Sequence, residues 1–453
     1  MSRSDPAGRE INPQGKPLRV FLGLTETAGT YHGLRQGFEA MGHSCLFADL
    51  SRNPFRYGGS SQTWQVRLAR WGYQRYLDAL SASMPRKLGW FVIDQIARLP
   101  LFLHALLHYD LFIFGFNATF YRQRDLPLLR WLGKTVICQY HGSDTRPPYL
   151  DGAYLSTPGM TLATCVGHTR RLHDVITWVD RYATAVIDTP AQGHFRKVPF
   201  VNWLKIGVPV KPARVPTPDE LESAYARMLT GGPVRILHSP SFPEAKGTPL
   251  IRALIERLRS RGHAIDFIEI KGMPNEVVLA ELARCDFVID QAYADTPMAG
   301  FAAEAAWFGK VSVVGGYQRA LWRSLLTDEE LPPSLYVHPD DMEAAVERLI
   351  LDPAARVSGG RRVRQFIETR WSPHVAARNY LAIAEGTSDK SWWVTPESLI
   401  DFHGCCLAES RLRDGLRTYV GTYGAGALCL DDKPVLRDSI VAFAAEGDSV
   451  VVT

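Results

Sequence analysis

The chain is short of the features that most quickly assign a protein to a class. Its 453 residues include seven cysteines (Cys45, Cys138, Cys165, Cys285, Cys405, Cys406 and Cys429). They are scattered, odd in number and form no C-x-x-C pair, so neither a disulfide framework nor a structural zinc site is expected. No G-x-G-x-x-G fingerprint opens the first helix, which argues against a dinucleotide cofactor in the amino-terminal half. Charge of one sign is scarce as well: 51 Lys and Arg face 47 Asp and Glu, a net +4. With no RNP, zinc-finger or arginine-rich signature, a nucleic-acid partner is not expected. No apolar run reaches spanning length; the nearest, Leu99 to Leu107, is too short. The opening MSRSDPAGREINPQGKP is polar and lacks the apolar core of a signal peptide. It reads as a mobile leader over residues 1–17, and a cytoplasmic location is the expectation.

What is present is an α/β rhythm long enough for two domains. The run Leu18 to Leu24 is strand-like. It is followed by a glycine-containing loop, Thr25 to Thr30, a helical stretch over 31–42 and a second strand at Ser44 to Ala48. Strands at Asp110 to Phe114, Thr135 to Gln139 and Ala183 to Ile187 continue the series, with helices over Asp125 to Gly133 and Leu172 to Tyr182. The strand ending at Gln139 runs directly into Tyr140-His141-Gly142-Ser143-Asp144-Thr145-Arg146, a polar loop at a strand's carboxyl end and therefore a site candidate. After Val210, Pro212, Pro216 and Pro218 mark a linker. A second series begins at Val234 to His238, with Lys246-Gly247-Thr248 at the mouth of a helix. The domains so read are 18–210, 211–385 and an extension over 386–453 of unassigned role.

The second series is organised around Cys285 to Gly316. Phe287-Val288-Ile289-Asp290 reads as a buried parallel strand, FAAEAAWFG as a helix stopped by Gly309, and Val311 to Val314 as the next strand. Ligands of such units sit where loops leave the strands' carboxyl ends. Ala299 and Gly300 lead into a helix amino terminus whose unpaired N–H groups favour an anion such as a diphosphate. Glu304, read within the first turn, can accept hydrogen bonds from the two hydroxyls of a ribose, or can simply complement the helix dipole.

Between Thr63 and His108 two long helical stretches interrupt the order. In the first, Arg67, Arg70, Gln74 and Asp78 form one narrow polar stripe, and Trp64, Val66, Leu68, Trp71, Tyr73 and Tyr76 occupy the remainder. Across both, cations outnumber acids. This suits peripheral contact with a membrane through residues 64–98, and equally a core helix with arginines facing water.

Three segments carry a resemblance to a known family: DLPLLRWLGKTVICQYHGSDTR (125–146), VRILHSPSFPEAKGT (234–248), and DFVIDQ with AGFAAEAAWFGKVSVVGG (286–316). In this order and spacing they resemble the retaining GT-B-fold glycosyltransferases of the GT4-like group, over residues 18–385. The resemblance implies two Rossmann-like domains facing a cleft. It implies transfer of a sugar from a nucleotide-sugar donor to a glycan, lipid-linked or small-molecule hydroxyl, with retention. It implies no cofactor beyond that co-substrate and no metal, and no D-x-D motif is present. By position, Glu304 matches the ribose-binding glutamate, Lys246 the lysine facing the diphosphate, and His141 the histidine near the transferring sugar. The donor side is then Ser239, Ser241, Lys246, Thr296, Ala299, Gly300, Phe301 and Glu304. The acceptor or sugar side is Gly29, Thr30, His141, Asp144 and Arg146. Two positions depart from the pattern: Thr296 stands where the family has its first glutamate, and Ser241 where it has an arginine. A pseudo-glycosyltransferase that binds a nucleotide sugar without transfer, and a sugar-nucleotide epimerase of the same fold, stay open beside the transferase.

Overall fold

The computed structural model describes residues 17–52 and 59–446, so the leader expected at the amino terminus lies, except for Pro17, outside the described residues. Among the described residues twelve strands form two sheets. The first contains β1 (Arg19–Leu24), β2 (Ser44–Asp49), β3 (Leu111–Gly115), β4 (Thr135–Gln139), β5 (Ala185–Asp188), β6 (Phe200–Asn202) and, from the far end of the chain, β12 (Trp393–Val394). Its order is β12-β6-β5-β4-β3-β1-β2, parallel except for the antiparallel β12. The second contains β7 (Val234–His238), β8 (Ile265–Glu269), β9 (Phe287–Gln291), β10 (Ser312–Gly315) and β11 (Leu335–Val337), all parallel in the order β11-β10-β9-β7-β8. Two doubly wound α/β units facing a cleft are the arrangement the resemblance implies, and the carboxyl-terminal extension read from the sequence follows them.

The central strands are buried on both faces, and their sequences are correspondingly unbroken apolar runs. In β3, Phe112 and Phe114 pack with Phe21 and Phe120 on one side of the sheet, whereas Ile113 joins Val20, Leu22 and Tyr31 on the other. Each such side chain contributes about 1.5–3 kcal/mol on burial. Helix boundaries follow local chemistry. Thr63 caps Trp64–Asp78 by accepting from the Val66 N–H, and Thr217 with Glu220 forms a reciprocal capping box ahead of Pro218–Leu229. The helix read over Leu172 to Tyr182 begins ten residues earlier, at Leu162, where Thr161 caps it.

The chain returns to the first domain before it ends. Helix Pro373–Ala384 lies on helix Thr30–Ala40, with no room for a side chain at Gly37 beside Pro373 and Ala377. Asn379 donates to the Ile206 carbonyl, and the Tyr380 hydroxyl bonds Gln139 Oε1 at 2.5 Å. The tail then adds β12 to the sheet edge, and its two helices, Glu409–Tyr423 and Pro434–Ala445, bury Leu412, Leu416, Tyr419 and Ile440 against Tyr149, Cys165 and Ile176. Its connecting segment touches both domains: the Cys405 carbonyl accepts from Gly152 N–H, and Cys406 N–H donates to the Tyr293 carbonyl.

One expectation is corrected. Helix Met84–His108, 25 residues, is long and apolar enough to cross a membrane by length and composition. Asp94 and Arg98 interrupt its apolar stretch, so reading only uninterrupted runs hid it.

The domains are joined by a buried ion network. Arg146, at 5 % exposure, reaches Asp151 of its own domain at 3.2 Å and both hydrogen-bonds and ion-pairs with Asp295 across the junction. Gln192 adds a hydrogen bond to the same carboxylate at 2.8 Å. Removing the shared cation leaves two dry carboxylates, whereas removing Asp295 leaves Arg146 paired with Asp151. Arg146→Met is therefore expected to cost about 3–5 kcal/mol in chemical denaturation, and Asp295→Leu clearly less.

Candidate functional site

The loops that leave the carboxyl ends of the two sheets enclose a cavity of about 470 Å3 between the domains. The first domain contributes Thr25, Glu26, Thr27 and Ala28 after β1, Ser51 and Arg52 after β2, and Phe116 after β3. The second contributes Ser239, Pro240, Ser241 and Lys246 after β7, Ile270, Met273, Asn275 and Val278 after β8, Asp290 of β9, and Ala299, Gly300, Phe301 and Glu304. Strand ends supply such sites because there the helices begin and backbone N–H groups lack partners.

Helix Gly300–Trp307 points its amino terminus into this cavity, and its Ala299 cap provides no side-chain acceptor. The N–H groups of its first turn are left for a ligand. Ala28 of the opposite domain approaches so closely that a Cβ on Gly300 would lie 3.0 Å from its methyl group. Glu304 falls just past the first turn rather than within it, because the helix starts at Gly300. Its carboxylate is 5 % exposed and accepts from Asn275 Nδ2 at 2.9 Å. Burial pushes it up to about 7, against a hydrogen bond from Asn275 that acts the other way.

Lys246 ends the short helix Pro243–Lys246, where Gly247 turns the chain at φ +71. Its ammonium donates to Gln291 Oε1 at 2.6 Å. Nearby Asp290 is raised by burial, with Lys246 opposing, and its Oδ2 has no hydrogen-bond partner. Lys246 and Glu304, remote in sequence, therefore line one cavity.

The first domain holds a second group of polar atoms. His141 is half-buried and its Nε2 has no partner; burial lowers it to about 4, so the ring is neutral. It stands beside Gly115, where a Cβ would fall 1.6 Å from the Tyr31 hydroxyl and 3.2 Å from His141 Nε2. Only glycine fits there, immediately before the cavity-lining Phe116. Asp144 accepts from the His141 and Gly142 N–H groups through Oδ1, leaves Oδ2 unpartnered, and is raised to about 7 by burial.

The structure thus brings Ser239, Ser241, Lys246, Ala299, Gly300, Phe301 and Glu304 to one wall. Gly29 lies in an adjoining cavity of about 200 Å3, which shares Ala28, Asn275 and Glu304 with the first and adds Lys211. Thr30 is buried at the start of its helix, and Thr296 is buried with an unpartnered hydroxyl; neither lines these cavities. Arg146 does not line these cavities; its guanidinium is held by Asp151 and Asp295 at the domain junction. His141 and Asp144 stand in the loop after β4 without lining the main cavity.

Several lining groups are not apparent from the sequence. Glu26 accepts from the N–H groups of Thr27, Tyr31 and His32, at 2.7, 3.2 and 3.0 Å, and burial raises it to about 8. Arg52, braced by Gln74 and Asp78, is a second cation on the cavity wall. Asn275 orients Glu304. Their common signal is position in a loop that follows a strand, which a motif search does not weigh. Among the described residues no group of three His, Cys, Asp or Glu side chains is arranged to hold a metal ion.

No family model matches the chain, and no curated protein matches it. Among solved structures it is similar to a glycosyltransferase from Rickettsia africae ESF-5 (TM-score 0.47, 13% identity, 82% of this chain and 99% of that one). It is similar also to the catalytic domain of starch synthase IV from Arabidopsis thaliana bound to ADP and acarbose (TM-score 0.46, 11% identity, 82% and 99%). A third is HepE from Anabaena in complex with UDP-glucose (TM-score 0.43, 12% identity, 81% and 98%).

Glu304 links the site to stability. Its carboxyl is raised in the folded protein from an ordinary 4.5 to about 7. The folded state therefore favours the protonated form, and stability is lost as pH rises through that window. A glutamine at this position cannot ionise, so Glu304→Gln is expected to be more stable than the parent near pH ~8, by up to about 3 kcal/mol. The gain should vanish as pH falls to ~4, and unfolding measured across that range checks it.

Proposed function

We propose that the protein transfers a sugar from a nucleoside diphosphate donor to a hydroxyl acceptor, with retention of configuration and without a bound metal. The observation that supports this reading is the convergence of Lys246, Glu304 and the amino terminus of helix Gly300–Trp307 on one cleft between two parallel-sheet domains. Each suits one part of such a donor. The diphosphate lies against the helix N–H groups with Lys246 facing it. Glu304 accepts from the ribose hydroxyls, and the adjoining cavity beside Lys211 has room for the base.

Departure of the nucleoside diphosphate builds negative charge on phosphate. A fixed ammonium and preoriented N–H groups stabilise that charge more than they stabilise the ground state. The sugar becomes oxocarbenium-like on the first-domain side, where a neutral His141 adds no opposing charge. The departing phosphate oxygen takes the acceptor proton, so no separate base is assigned.

A second reading, binding without transfer, is favoured by the two departures: Ser241 brings a hydroxyl rather than a guanidinium to the diphosphate side of the cleft, and Thr296 is buried away from it. Incubation with a panel of nucleoside diphosphate sugars separates the readings. Transfer predicts slow donor hydrolysis unaffected by EDTA, and a loss of about 10²–10³ in turnover for Lys246→Ala. Glu304→Ala should weaken nucleotide binding in a thermal-shift assay. Binding without turnover in the presence of acceptors supports the second reading, and an isomerised sugar would indicate an epimerase.

A further inference from the structure

The helical hairpin Trp64–Asp78 and Met84–His108 is built inside out. On the second helix Leu88, Val92, Ile96, Leu99, Leu103 and Leu107 recur at steps of three and four and form one exposed stripe. Leu88 is 63 % exposed, Ile96 65 % and Leu107 71 %. The same helix turns its ion pair inward: Asp94 and Arg98 meet at 2.8 Å in the interior, with Arg98 4.8 Å from the centre of the Tyr73 ring. The first helix repeats the inversion. Arg70 bonds the Asp49 carbonyl and Ser60, and Gln74 bonds the Leu50 carbonyl, all toward the body, whereas Trp64 and Trp71 face outward at 57 % and 46 % exposure.

An aqueous surface does not call for leucines outside and an ion pair inside. A continuous apolar stripe of this length marks contact with a partner. Charge identifies the partner. The hairpin's acids are engaged, Asp78 by Arg52 and Asp94 by Arg98, while Arg67, Arg75 and Arg86 are exposed. The opposite side of Met84–His108 is committed to the core through Leu101, Phe102 and Ala105. The helix therefore cannot be surrounded by lipid as a spanning segment would be, and it can only lie flat.

We propose that the hairpin docks the protein on an anionic lipid bilayer, with the stripe in the headgroup and acyl boundary and the arginines on lipid phosphates. This surface stands independently of the transferase reading. Its geometry bears on it, because Arg52 joins the hairpin to the cavity wall and Arg122, bonded to Tyr76, lies over the Phe91 ring.

Flotation of the full chain with vesicles of phosphatidylcholine and phosphatidylglycerol in equal parts tests this. The protein is expected to float at low ionic strength, less as salt rises, and less with phosphatidylcholine alone. Leu88→Ser, Ile96→Ser and Leu103→Ser together should lower the floating fraction by about tenfold or more with an unchanged melting curve. Should that variant misfold, Arg75→Glu with Arg86→Glu gives the same readout on the charge term alone. Failure of the parent protein to float at low ionic strength would overturn the proposal. So would a dimer that the serine variant converts to monomer, since the stripe would then be covered by a second copy. Nucleotide thermal shifts on the same samples report the cleft separately, so failure of one reading is distinguishable from failure of the other.

Discussion

The relation between the two domains depends on Arg146. Its guanidinium is buried between Asp151, on its own domain, and Asp295, on the loop after β9 of the other. A dry charge of this kind is held only where its partners are fixed. The pair therefore pins the loop that runs from β9 through Asp295 and Thr296 to Gly300, the start of the cavity-lining helix. The tail segment around Cys405 and Cys406 fastens both sides of the same junction. An ionic lock, the tail segment and the close approach of Ala28 to Gly300 thus join the two domains.

Within that frame the cleft is a place where stability is given up. Glu26, Asp290 and Glu304 line it, and burial raises all three. Three carboxyl groups displaced by burial in one crevice, with Lys246 and Arg52 beside them, mark it as a candidate functional site. The unpartnered atoms of Asp144, His141 and Tyr31 beside the ends of β3 and β4 extend the same pattern into the first domain.

Much of this was legible in the sequence because parallel strands buried on both faces are written as unbroken apolar runs. Phe287 to Asp290 and Thr135 to Gln139 could be placed closely; Glu304 follows from the helix after such a strand, and Lys246 from the family resemblance. What was not legible has physical causes. Arg146 lies in a polar loop beside the cleft, and nothing local reveals that its partner is Asp295, 149 residues away. Strand β12 is two residues long and exists only because it pairs with β6. Asn275 and Arg52 act through tertiary contacts to Glu304 and to Asp78. The hairpin's amphipathicity was visible as a stripe, but which side faced water depended on the sheet beneath it.

The account rests on a nucleoside diphosphate being gripped from two sides of one crevice. A crystal structure of the protein soaked with a nucleoside diphosphate tests this most directly. The predicted result is a diphosphate over the Gly300 and Phe301 N–H groups within reach of the Lys246 ammonium, and ribose hydroxyls on the Glu304 carboxylate. A nucleotide bound elsewhere, or a crevice left vacant at saturating nucleotide, would contradict it.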